Sequence, residues 1–220
     1  YVGRKPIAVF PMNGLNKDFF KKQTGPKVFR AMDFKDKIVF SFVGAIDKRK
    51  GVHLILDAFP KVLEELPQAR LIIAGSGQND AEINEQIEKY KVHEKVTRFP
   101  WINHEEVVKL FSVSDVFLYP SIPYDGWEEQ FGYAMAEASL TGLPVISTDS
   151  GSIEDVVKDG KTGILVPPNN TKALSDAMIL LGKDKELGVR LGEAGREFTS
   201  ANLSREAIAK KFHDFFESLI

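Results

Sequence analysis

Asp115-Val-Phe-Leu-Tyr-Pro120, followed after eight residues by Glu129-Gln-Phe-Gly-Tyr-Ala-Met-Ala-Glu137, is the stretch from which the fold follows. Its first piece is a short apolar run closed by proline and reads as a buried strand; Tyr133 to Leu140 reads as a helix. Strand, loop and helix onset therefore come in order. In an open parallel sheet such a junction turns unpaired amide N–H groups and the positive end of the helix dipole toward the crevice at the strand ends, where ligands bind. Gly132 lets backbone approach an anion closely, Glu129 reaches out from the loop, and Glu137 lies one turn along the helix. That arrangement suits a phosphate with hydroxyls beside it.

The same alternation recurs outward from this stretch. Strands are predicted at Ile7 to Phe10, Ile38 to Val43, Leu71 to Ala74, Val96 to Phe99, Val116 to Tyr119, Val145 to Thr148 and Ile164 to Val166. Helical patterns fall between most of them. Val52 to Leu66 has apolar residues at helical spacing, with Pro60 expected to kink or divide it. Asp80 to Lys91 is amphipathic, and Asn103-His-Glu-Glu106 and Ser152-Ile-Glu-Asp155 each have the form of a capping box. Later helices are expected near Thr171 to Leu181, Lys185 to Phe198 and Arg205 to Leu219, and residues 21 to 37 read as a surface connection. Alternating strands and helices give an α/β fold, a parallel sheet sandwiched by helices.

At 220 residues and 24.6 kDa the chain suits one well-buried domain. No apolar run approaches the roughly 20 residues that span a bilayer. Cysteine is absent, which excludes disulfides and thiol chemistry and fits a reducing, cytoplasmic setting. The chain opens at Tyr1, as an excised piece of a longer protein would. Net charge is only −2, yet residues 1 to 50 hold twelve Lys or Arg against four Asp. That basic segment is either a solvated surface or a face for phosphates, a partner domain or the inner face of a membrane.

The pattern Glu-x-Phe-Gly-x-x-x-x-Glu at 129 to 137 resembles the signature of the retaining family-4 glycosyltransferases, whose GT-B fold has two Rossmann-like domains. Further matches come in the family's order. Phe42-Val-Gly-Ala-Ile-Asp-Lys-Arg-Lys-Gly51 is similar to its strand and phosphate loop, and Ile72-Ile-Ala-Gly-Ser-Gly77 to its next strand and turn. Val96-Thr-Arg-Phe-Pro-Trp-Ile102 resembles the base-contacting segment; Pro144 to Glu154 and Asp159 to Pro167 resemble the closing strands. The resemblance implies one Rossmann-like half of a GT-B fold. Residues 1–36 would form the interdomain connection and basic surface segment, 37–203 the donor-binding domain, and 204–220 a helix returning toward an amino-terminal acceptor domain. Ile208, Phe212, Phe215 and Phe216 of that last helix are then left to partial exposure or to another chain.

The same resemblance assigns roles. Lys50 contacts the donor diphosphate, and Gly44, Ala45 and Gly75 lie in the substrate-binding loops. Relatives usually carry arginine where this chain has Ala45, which opens the question of whether Arg49 supplies that second contact. Glu137 takes the ribose hydroxyls, as an acceptor-only group facing two OH donors should. Glu129 lies near the donor sugar and departing phosphate, with Glu128 beside it resolved by the Phe-Gly spacing. Phe131, Gly132 and Tyr133 offer backbone N–H groups, Ile102 presents its main chain to the base, and Trp101 either stacks on the base or packs. The implied activity is hexosyl transfer, with Glu129 and Lys50 as catalytic residues, no metal and no cofactor beyond the nucleoside diphosphate sugar itself. A non-catalytic donor-binding subunit and a nucleotide-sugar epimerase are the rival readings.

Other chemistries find no support in the sequence. Gly75-Ser-Gly77 is too short for a dinucleotide fingerprint, and neither a phosphate-binding Gly-x-x-x-x-Gly-Lys-Ser/Thr loop nor a Gly-x-Ser-x-Gly elbow occurs. His53, His93, His104 and His213 are dispersed without zinc-like spacing. The basic residues lack the aromatic interleaving of a nucleic-acid groove.

Overall fold

The computed structural model describes residues 7–11 and 13–219. A short hairpin, β1 (Val28–Phe29) and β2 (Met32–Asp33), precedes the main sheet. That sheet comprises β3 (Ile38–Val43), β4 (Ala69–Ala74), β5 (Val96–Phe99), β6 (Val116–Tyr119), β7 (Val145–Thr148) and β8 (Gly163–Val166). Its order is β5-β4-β3-β6-β7-β8, every neighbouring pair parallel. The helices are α1 (Val52–Glu65), α2 (Asp80–Lys89), α3 (His104–Val113), α4 (Tyr133–Leu140), α5 (Thr171–Lys183), α6 (Lys185–Leu203) and α7 (Arg205–Glu217). The expected α/β sandwich is what forms.

The central strands have no solvated face, so they read as continuous apolar runs rather than alternating ones. Val39, Phe40, Phe42, Phe117, Leu118, Val145 and Ile146 have no exposed surface. α1 packs on α2 and α5, and α4 packs on α6. The chain starts at β3, works outward through β4 and β5, then returns to β6 and works outward the other way. The reversal falls between β3 and β6, and the crevice outside the carboxyl ends of such a pair is where open α/β sheets bind ligands. The loops after Val43 and Tyr119 meet there.

Several expectations are corrected. Ile7 to Phe10 forms no strand, because among the described residues no neighbouring strand pairs with it; Ile7 and Val9 are exposed, and Phe10 rests edge-on against Phe212, ring centroids 4.5 Å apart. Pro60 does not divide α1. A proline inside a helix costs about 3 kcal/mol. Burying Ile55, Leu56, Phe59 and Val62 on either side of it contributes roughly 1.5–3 kcal/mol each, so packing prevails. Asn103 and Glu106 do form a reciprocal capping box, whereas Ser152 makes no capping bond and precedes only a single 3-10 turn, Ile153–Asp155. Residues 21–37 are more than a surface connection: the hairpin anchors them through buried Phe29 and Phe34. In α7, Ile208 is buried and Phe212 and Phe216 are exposed.

Candidate functional site

The two loops at the reversal point are stitched together before any ligand is considered. After β3, residues Gly44 to Asp47 lead into a 3-10 turn, Lys48–Lys50, capped by the Asp47 carboxylate accepting from the Arg49 N–H. The Arg49 carbonyl then accepts from the Ile122 N–H and the Ser121 hydroxyl, both at 2.8 Å, in the loop after β6. Register between the loops is thereby set by backbone. Lys50 and Glu129, far apart in sequence, meet with Nζ 2.5 Å from Oε2, and their side chains are only 13% and 7% exposed. Ser121 Oγ lies 3.3 Å from the same carboxylate oxygen.

Around this pair the site is aromatic on one side and open on the other. Lys50 Nζ sits 5.2 Å from the Tyr119 ring centre and 4.6 Å from that of Trp127. Burial and the neighbouring Glu129 charge push the Tyr119 phenol up, so it stays protonated. A cleft of about 610 Å³ opens beside the pair, lined by Trp127, Glu129, Gln130, Gly151 and Ser152 among others. The Glu129 carbonyl accepts from the Ser152 N–H at 2.8 Å, tying the cleft's far wall to the loop after β7. α4 starts at its rim: Gly132, at φ 76°, takes the left-handed conformation that turns the chain into the helix.

A second cleft, of about 350 Å³, lies at the carboxyl ends of β3 and β4 and is lined by Val43, Gly44, Ala45, Ala74, Gly75, Ser76, Trp101 and Ile102. Gly75 is required there sterically, since a Cβ would stand 1.8 Å from the Gly44 carbonyl oxygen. Ser76 Oγ donates to the Pro100 carbonyl at 2.7 Å and draws the Trp101–Ile102 segment over the cleft. Ile102 is buried, and Trp101, 73% exposed, stands free at the mouth rather than packing. Glu137 is held apart, one turn into α4, with His104 Nε2 4.0 Å from its carboxylate. Burial pushes its pKa up to about 7.

The structure thus brings Lys50 and Glu129 into contact, gathers Gly44, Ala45, Gly75 and Ile102 into the second cleft, and sets Phe131, Gly132 and Tyr133 at the start of α4. Ala45 is exposed and carries no charge into the site. Arg49 instead lies with its guanidinium 4.4 Å from the Trp127 ring centre and Nε 3.1 Å from Asp47 Oδ2. Sequence reasoning missed Tyr119, Ser121, Tyr124 and Trp127; Tyr124 to Trp127 carried a readable Asp-Gly turn, and the others gave no local signal.

A doubly wound parallel sheet with a cation–carboxylate pair at its reversal point is a Rossmann-like architecture of the GT-B type. The family model for glycosyl transferases group 1 matches residues 27–198, and the chain belongs to that family. It is 30% identical over 188 residues to a D-inositol 3-phosphate glycosyltransferase of Corynebacterium urealyticum, covering 82% of this chain and 43% of that protein. Among solved structures, sucrose-phosphate synthase from Thermosynechococcus elongatus superposes with a TM-score of 0.82 at 28% identity, over 94% of this chain and 51% of that one. Anabaena HepE in complex with UDP shares the fold at a TM-score of 0.83 and 20% identity, over 93% and 56%. The chain spans about half the length of the curated relatives it matches.

Proposed function

We propose that this chain is the donor-binding half of a retaining, metal-independent hexosyltransferase that takes its sugar from a nucleoside diphosphate. The observation that carries the reading is the buried Lys50–Glu129 pair at the β3/β6 reversal, flanked by the two clefts. In this reading the base enters the cleft of Gly44, Gly75, Trp101 and Ile102, and Glu137 accepts from the ribose hydroxyls. The diphosphate lies against Lys50, with backbone N–H groups of Phe131, Gly132 and Tyr133 toward its oxygens. The UDP bound by HepE and the sugar transfer in the relatives' names support that donor class.

Transfer then breaks the bond between the sugar's anomeric carbon and the diphosphate oxygen. The acceptor oxygen bonds on the same face and gives its proton to the departing diphosphate. Lys50 and the start of α4 stabilise the charge developing on that leaving group, while Glu129 orients the sugar and offsets its developing positive charge. Donor binding requires Lys50 to share or exchange its carboxylate partner for phosphate. Because cations already stand at the diphosphate, the chemistry needs no divalent ion there. The acceptor is held by an amino-terminal domain or separate subunit, so this chain alone binds donor and transfers poorly. Among the described residues no helix is long and apolar enough to cross a membrane. Calorimetry with UDP-, GDP- and ADP-sugars tests the proposal: one should bind saturably, and binding of none would refute it.

A further inference from the structure

The loop between Pro120 and Glu129 contains a rigid finger. Tyr124 and Trp127 exchange two backbone hydrogen bonds, at 3.0 and 2.9 Å, across Asp125 and Gly126, whose φ angles are 49° and 72°. Positive φ at both central residues is the two-residue hairpin geometry that Asp-Gly favours, so the finger holds its shape without a sheet beside it. Its two rings face the basic turn. Lys48 Nζ is 5.6 Å from the Tyr124 ring centre, and Arg49 Cζ and Lys50 Nζ are 4.4 and 4.6 Å from that of Trp127. Three successive cations therefore rest on two aromatic rings, and Trp127, which carries two of them, also lines the larger cleft.

Adjacent cations repel, and something must hold them together. Carboxylates do so by cancelling charge: Asp47 meets Arg49, and Glu129 meets Lys50. An indole face attracts a cation while leaving its charge in place. A guanidinium held against it keeps its charge, and its planar fork of N–H donors is suited to phosphate oxygens. Trp127 thus does what a third carboxylate could not, gathering Arg49 and Lys50 without removing the positive field that an anion would need.

We infer that Trp127 is the shelf of a diphosphate-binding unit formed by Lys48, Arg49 and Lys50, a positioning residue that makes Arg49 the second cation of the clamp in place of uncharged Ala45. The inference deepens the donor-binding reading and rests on it for the nucleotide. The shelf itself is tested with inorganic pyrophosphate, which has no base or sugar.

Calorimetry on the full chain should show Trp127→Ala weakening pyrophosphate binding about tenfold, Trp127→Leu about equally, and Trp127→Phe only about twofold, the scale of a lost cation–π contact. Trp127 and Trp101 are the two tryptophans of the chain. In Trp101→Phe, pyrophosphate should therefore change the emission of Trp127 saturably as the cations turn to the anion. Leucine restoring binding as well as phenylalanine would reduce Trp127 to packing and overturn the inference, as would wild-type affinity in Trp127→Ala. Should the alanine variant fail to fold, the Phe and Leu pair decides. Pyrophosphate binding with this pattern but no nucleotide-sugar binding would uphold the shelf and refute the donor reading. Absence of pyrophosphate binding in the wild type would overturn the shelf, leaving the donor reading to the nucleotide sugars.

Discussion

Glu137→Gln should make the ligand-free protein more stable and the donor complex weaker. Glu137 is largely buried with no cation in hydrogen-bond contact, and burial raises its pKa from the ordinary 4.5 to about 7. Below pH 4.5 folded and unfolded chains both hold the proton, and the group makes no difference. Between 4.5 and 7 the unfolded chain releases it while the folded chain keeps it, so stability falls as pH rises; above 7 the full penalty is present. At about 1.4 kcal/mol per pH unit, that interval amounts to about 3 kcal/mol. Glutamine keeps the size and removes the titration, so the variant should gain up to about 3 kcal/mol over wild type at pH 8 and almost nothing at pH 4.5.

The assay is urea unfolding of both proteins between pH 4.5 and 8, read as the difference in stability. His104, 4.0 Å away and exposed, is present in both proteins, and the subtraction removes the part of its effect that does not depend on the Glu137 charge. A difference that stays flat with pH would refute the buried-carboxylate reasoning outright. The functional half of the prediction runs in the opposite direction. Ribose hydroxyls donate to an ionised carboxylate, so donor affinity in the wild type should climb as pH approaches and passes 7, with proton release on binding below it. The variant should lose both the climb and much of its preference for ribose over 2′-deoxyribose.

Lys50→Ala should weaken nucleoside diphosphate binding by about 1–3 kcal/mol while hardly affecting the free nucleoside, and equal losses in calorimetry would count against a phosphate role. The same substitution leaves Glu129 as an unpaired buried charge and should cost about 3 kcal/mol of stability, which Lys50→Ala/Glu129→Gln recovers in urea unfolding. Glu129→Gln should retain donor binding and lose transfer once the acceptor half is supplied; undiminished transfer would remove Glu129 from the chemistry. Donor affinity should be the same in EDTA as in magnesium, and a collapse on chelation would end the metal-free reading.

The fold was legible because its signals are local. The central strands are buried on both faces and therefore appear as unbroken apolar runs, and Asn103 to Glu106 carries a capping box that needs nothing beyond itself. Local signals failed where packing decides. Pro60 sits in a helix that burial on both sides keeps continuous, and Ile7 to Phe10 has the apolar content of a strand but no partner strand among the described residues. Residues 21 to 37 look polar in bulk, yet two phenylalanines among them are buried.

The site divides along the same line. Glu129 and Glu137 stand out as candidates in the sequence because both belong to one short motif, and Lys50 because its loop resembles a phosphate loop. That Lys50 and Glu129 touch is a property of sheet order, since only the β3/β6 pairing sets their loops side by side. The finger is one step further removed. Asp125-Gly126 predicts a tight turn, but what the turn carries depends on where the basic residues land, and that is set by hydrogen bonds from Ser121 and Ile122 to the Arg49 carbonyl. The basic turn at Lys48 to Lys50 and an aromatic finger in another loop are unrelated features on the linear chain. In the folded one Arg49 has its guanidinium 4.4 Å from the centre of the Trp127 ring, which lines the larger cleft and attracts that cation without cancelling its charge, in contrast to the Asp47 carboxylate beside it.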